Sequence, residues 1–116
     1  MALRFILATL STIFISCQRE TRIKLDERAE NTRETLLSHI PIGSNDMFAK
    51  KTMEDNIFSC KYIKKGEFLE QKNIDFLYCD REDQKGFLIS RRWQIAIILK
   101  NNIVEDIQVS TGLSGP

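Results

Sequence analysis

The chain has 116 residues, with 17 Lys plus Arg against 16 Asp plus Glu, and a formal net charge of +1 at pH 7. A near-neutral balance without long basic runs lacks the clustered positive surface that phosphate backbones require, so no nucleic-acid partner is expected. One His and three Cys leave little from which to build a metal centre or a catalytic triad.

The first element is a secretory-type leader. Arg4 precedes an apolar run from Phe5 to Ile15, and small Ser16 stands directly before Cys17. This is the order positive n-region, short h-region, small cleavage residue. The run falls short of the roughly 20 helical residues that span a bilayer core. A cysteine directly after the cleavage point resembles a bacterial lipoprotein signal, in which that thiol receives lipid and becomes the new N-terminus. Ser16 and Ile15 fit that pattern, while Phe14 stands where leucine is usual. A plain cleaved signal and an uncleaved anchor are the alternatives. The leader layout gives a signal peptide over 1–16, and the lipoprotein resemblance implies a lipidated Cys17 with a tether over 17–25. The remaining length is one domain's worth, expected as a single α+β domain over 26–116. Gln18 follows where an aspartate would resemble an inner-membrane retention signal. The expected location is therefore the cell envelope, as an outer-membrane lipoprotein facing the periplasm and held to the membrane by its N-terminal lipid. Arg4 leaves with the signal, which takes the formal charge from +1 to 0.

Beyond the tether, Asp26 to His39 is predicted to be helical. Leu25, Ala29, Thr32, Leu36 and Ile40 recur at intervals of three and four, and the charged residues between them form a solvated face. Pro41 ends this helix by pushing the preceding residue out of the α region. Ser44 is the expected N-cap of a second helix running to about Asp55. Ala49, Met53 and Ile57 form its stripe, and Asn56 closes it in the left-handed conformation.

From Phe58 the period changes to two. Strands are expected at Phe58–Lys64, Ile74–Asp80, Phe87–Leu99 and Ile103–Ser110, with a loop around Gly66 between the first two. In the third, Phe87, Ile89, Trp93, Ile95, Ile97 and Leu99 share one face with Arg91. Ile103, Ile107 and Val109 form one face of the fourth. A two-residue Asn101-Asn102 loop would set Ile97 opposite Asp106. A three-residue loop, Lys100-Asn101-Asn102, pairs Leu99 with Ile103, Ile95 with Ile107 and Trp93 with Val109, and is the expected register. Residues 110–116 are small and uncharged apart from Leu113, and read as a frayed terminus or as a docking segment. The fold class expected from this order is α+β, with two N-terminal helices packed on one face of a four-stranded antiparallel sheet (ααββββ).

With Cys17 assigned to lipid, Cys60 and Cys79 remain. An exported compartment permits a disulfide between them, but two separately buried thiols are an equal reading. Placing Cys60 opposite Cys79 pairs Tyr62 with Leu77 but sets Phe58 against Arg81, and the neighbouring register sends the cysteines to opposite faces. Arg91 shares an apolar face and must reach an edge or pair with a carboxylate such as Asp80 or Glu82. Arg92 points the other way, as an exposed charge. These two arginines are the candidates for contact with an anion or a partner. No catalytic residue, metal ligand set or cofactor site is expected: His39 has no second histidine, no serine stands in a nucleophile elbow, and the scattered glycines form no phosphate cradle.

Two helices ahead of an antiparallel sheet, behind a lipoprotein-like signal, resemble the small outer-membrane lipoproteins of the BamE (SmpA/OmlA) type. The most motif-like part is Leu37 to Met53, where Ile42-Gly43-Ser44 stands where that family has a Gly-Met-Thr-like helix start. Asn56-Ile57-Phe58 replaces the family's Leu-Gly-x-Pro-like segment. The stretches Asp75–Asp80 and Ser90–Gln94 also look like a group of bacterial exported proteins. The resemblance implies a non-catalytic envelope module, binding a protein partner or assisting assembly. An inhibitor or immunity-type protein that binds an enzyme is the alternative, since the β-lactamase-inhibitor fold resembles this layout.

Overall fold

The computed structural model describes residues 23–115, so the leader and Cys17 lie outside the described residues. Helix α1 spans Ala29–His39, later than the predicted start at Asp26. Asp26 is engaged in a turn of its own. Its carboxylate accepts from the Arg28 amide at 2.8 Å, while its amide and carbonyl bond Thr32 Oγ1 at 2.9 and 2.8 Å. The α1 stripe is as the spacing predicts: Thr32, Leu36 and Ile40 are fully buried, with Leu25 and Ala29 packed against the core.

Helix α2 spans Asp46–Asp55, and its N-cap is Asn45 rather than Ser44. The Asn45 side chain accepts from the Phe48 amide at 2.9 Å, while the Ser44 hydroxyl donates to the Pro41 carbonyl at 2.6 Å. Asn56 does not take the left-handed closure. That conformation falls on Ile57, with φ of 71°, which swings Ile57 off the stripe to 75 % exposure. The Asn56 amide is engaged elsewhere. Its Oδ1 accepts from the Ile23 amide and its Nδ2 donates to the Thr52 carbonyl, both at 2.8 Å. Ile23 and Leu25, assigned to the tether from sequence, are thereby drawn onto the core.

The strands are β1 (Ser59–Phe68), β2 (Gln71–Gly86), β3 (Ile89–Lys100) and β4 (Ile103–Ser114), paired antiparallel in chain order. The expected fold class needs correcting on one point. The helices occupy residues 29–55 and are not N-terminal, because the extended segment before them is itself packed. Strands make up 55 % of the structure, so the sheet is the body of the molecule and the helices cover part of it.

Sheet alternation builds two cores. On one face Leu77, Cys79, Trp93, Ile95, Ile97, Leu99, Val104, Ile107 and Val109 meet Leu36 and Ile40 of α1 and Ala49 and Met53 of α2. On the other, Phe76, Ala96 and Ile98 are buried with Phe68. The end of β1 curls over this second face, and the Phe68 ring lies 6.0 Å from Phe76 and 6.3 Å from Tyr78. Gly66 is no loop residue. It sits between two register breaks in β1, and a Cβ there would lie 2.5 Å from Ile63 Cγ2 and 3.2 Å from Phe76 Cε1. The turn falls at Leu69-Glu70 instead.

The last hairpin departs from the predicted register in an instructive way. Lys100 pairs with Ile103 across the two-residue loop Asn101-Asn102, both with positive φ, as a type I′ turn demands. The register then shifts between Ile98–Asp106 and Leu99–Val104, so Glu105 is an extra residue in a β-bulge,. Beyond it Ile97 faces Ile107 and Ile95 faces Val109. Val104 is buried in place of Ile103, which is 41 % exposed. β4 also continues through Ser114, opposite Ser90, where a frayed end was expected.

One ion pair ties α1 to this strand. Arg33 donates through Nη2 to Asp106 at 2.6 Å and through Nε to the Ile107 carbonyl at 2.7 Å. Burial pushes the Asp106 carboxyl up, but hydrogen bonds from Arg33, the Ile107 amide and Gln108 outweigh it and hold the group below its ordinary range. A carboxyl depressed in the folded state contributes stability above its unfolded pKa and loses it as pH falls through the folded value. Acid titration below about pH 4 should therefore weaken the wild type more steeply than Asp106→Asn. Parallel acid-unfolding curves for the two proteins would remove this contact from the account.

Candidate functional site

Beyond the helices the sheet projects as a three-strand extension, and its helix-side face collects most of the unusual chemistry. Arg81 and Trp93 are paired there, as are Asp83 and Arg91, so alternation brings Arg81, Asp83, Arg91 and Trp93 to one face. Arg81 holds Asp83 in a fork, Nε to Oδ1 at 2.9 Å and Nη2 to Oδ2 at 3.0 Å. Its Nη1 donates to the Asn56 carbonyl at 2.9 Å, and its guanidinium lies 5.8 Å from the Phe58 ring. The Phe58–Arg81 opposition that counted against the cysteine register is thus a stacked contact.

That register is the observed one. Cys60 faces Cys79 and the two form a disulfide. Cys79 is fully buried in the helix-side core, and Cys60 packs against the same cluster from the edge strand.

Arg91 does not pair with Asp80 or Glu82. Those carboxylates lie on the opposite face, where Asp80 accepts from Arg92 Nε and Nη2 at 2.8 and 3.0 Å and Glu82 accepts from the Ser90 hydroxyl. Arg92 is therefore a paired rather than a free charge. The Asp80 hydrogen bond, with the carboxylate's charge behind it, holds the guanidinium above its ordinary pKa. Asp83, the carboxylate opposite Arg91, is occupied by Arg81. Arg91 instead reaches Thr111 Oγ1 at 3.2 Å and the Glu27 carbonyl at 3.5 Å through Nη1. Its Nε is buried with no partner among the described residues. Lys85 adds a further cation, 5.7 Å from the Trp93 ring. The two candidate arginines thus lie on opposite faces of the sheet, and only Arg91 lacks a carboxylate partner among the described residues.

This face presents Arg91 and Lys85 beside a buried indole. It offers charge-assisted hydrogen bonds to a carboxylate. Lys85 and Thr111 were missed in the sequence. The signal for Lys85 was its phase, since 81, 83 and 85 share the parity of one strand face. Thr111 was hidden because the expected strand ended at Ser110, whereas β4 continues to Ser114.

At the adjacent hairpin tip Phe87 is 86 % exposed and Leu88 holds a positive φ of 58°. Phe87 therefore leaves the apolar face on which strict alternation placed it. The described residues include no group of three or more His, Cys, Asp or Glu arranged for a metal, and no helix long and apolar enough to cross a membrane. Comparison with protein-family models, curated proteins and solved structures finds no match for this chain.

Proposed function

We propose that this protein is a non-catalytic module of the cell envelope, tethered to the membrane by lipid on Cys17, which binds a protein partner or assists assembly there. The observation that supports this reading most directly is the Cys60–Cys79 bridge. A structural disulfide belongs to an oxidising compartment, and pairing these two leaves Cys17 as the remaining cysteine, directly after Ser16. The Arg91–Lys85 face is the proposed contact for an acidic partner, with the outer membrane as the proposed site of attachment. No cofactor enters this reading.

Metabolic labelling with a fatty acid tests the tether. The wild type should carry label and fractionate with membranes, and Cys17→Ala should carry none. Release of unlabelled, soluble wild-type protein would overturn the lipid anchor.

A second reading, an inhibitor or immunity-type protein, is favoured by the hairpin tip. Phe87, Leu88 and Ile89 are 86, 56 and 41 % exposed at the tip of the β2–β3 hairpin, an apolar tip that fits an enzyme cleft. Affinity capture from membranes with the wild type and Phe87→Ser separates the two. A hydrolase lost with Phe87→Ser supports inhibition, and an envelope-assembly component retained by both proteins supports the first reading.

A further inference from the structure

Sheet edges in folded proteins are usually blunted by charge, bulges or covering segments. Edge strand β1 has Lys61, Lys64 and Lys65 and two register breaks. The first half of edge strand β4 is covered. Gly43 donates to the Val104 carbonyl at 2.9 Å, Val104 donates to the Ser44 carbonyl at 2.8 Å, and Arg33 caps the Ile107 carbonyl.

The second half has no such device. From Ile107 to Gly115 there is no charged residue and no proline, and the pairing with β3 runs without a break from Ile98–Asp106 to Ser90–Ser114. The Ile107 carbonyl points away from β3 towards Arg33. By strand alternation the amides and carbonyls of Val109, Thr111 and Leu113 also face outward. Among the described residues nothing hydrogen-bonds these groups.

We propose that this edge is a homodimer interface, in which β4 pairs antiparallel with β4 of a second copy about a twofold axis at Thr111. The inference goes beyond the proposed function and does not depend on the lipid anchor. A second copy is the occupant because the edge is complementary to itself. About Thr111, Val109 meets Leu113 of the partner subunit, Ser110 meets Gly112 of the partner subunit, and Gln108 meets Ser114 of the partner subunit. No charge opposes a charge. All three outward-facing residues find outward-facing partners, and each such pair exchanges both N–H···O bonds. Moving the axis to Ser110 would require the Ile107 carbonyl that Arg33 already occupies, and moving it to Gly112 would set Val109 against glycine. Leu113, 61 % exposed in one copy, gains a cross-strand apolar neighbour. The contact is isologous, so it closes at two chains and does not propagate.

Sedimentation of the full chain over a concentration series should give twice the monomer mass, with the amides of Val109, Thr111 and Leu113 slow to exchange. Leu113→Lys, which places a charge on the edge, and Leu113→Pro, which deletes an outward amide, should each halve the mass while leaving the circular dichroism of the fold unchanged. Hydrogen exchange on the wild type requires no variant and guards against a substitution that fails to fold. A wild type that stays monomeric at every concentration would overturn the proposal. So would a dimer that survives both substitutions, or freely exchanging edge amides in a wild-type dimer.

Discussion

Trp93→Ala should be unfolded or nearly so in denaturant titrations, while Arg92→Ala should shift the midpoint only slightly. Trp93 is 2 % exposed, belongs to the core shared with both helices, and donates from Nε1 to the Asp26 carbonyl at 3.1 Å. Truncating such a side chain costs about 3–5 kcal/mol, a large share of the roughly 5–15 kcal/mol that holds a domain together. The indole also fixes the turn ahead of α1 through Asp26, so its loss should loosen that helix first. Arg92 lies on the other face with a half-exposed fork to Asp80, where solvent screens most of the attraction. Equal and small shifts for both variants would show that the core does not rest on this side chain.

Cys60→Ala is the variant with the next largest expected effect. The bridge closes a loop with a sequence separation of 19 residues, a constraint of about 3 kcal/mol in the chain-entropy model. Cys60 is the better residue to replace, because the Cys79 thiol left behind is a small apolar group that suits its buried site. The midpoint of unfolding should fall to the value that the reduced wild type shows, and reducing the variant should change nothing further. Mass spectrometry of the alkylated, non-reduced protein checks the premise. Alkyl groups on both Cys60 and Cys79 would mean that the exported fold is held by packing alone.

The parts of this fold legible in the sequence were those in which one residue period runs undisturbed. The α1 stripe, the helix-side face of β3 from Trp93 to Leu99 and the antiparallel order all follow from spacing. What could not be seen were places where a single residue breaks phase. Apolar spacing of three between Val104 and Ile107 marks the bulge, yet strict alternation chose Ile103 instead. Gly66 looked like loop punctuation because nothing local showed that Phe76 would press against it. Ser44 and Asn45 are both competent caps, and the Pro41 carbonyl within reach of Ser44 decided between them. At the candidate site, Arg91 was rightly placed on the apolar face, but its partner was not, because Asp83 is claimed by Arg81 through a contact that no spacing reveals. Phe58 opposite Arg81 counted as an error of register only while guanidinium and ring were treated as incompatible.

The bulge at Glu105 bears on how this chain tolerates changes in length. The Asn101-Asn102 turn delivers β4 one residue out of step with the core, and Glu105, exposed and without an opposite number on β3, absorbs the difference. Excising it would leave Ile98 against Asp106 and Ile97 against Ile107, with the hairpin merely straightened. Excising either asparagine would abolish the turn itself. In a family descended from this chain, gaps in the last hairpin should therefore settle at position 105, where the strand carries one residue more than the sheet can count.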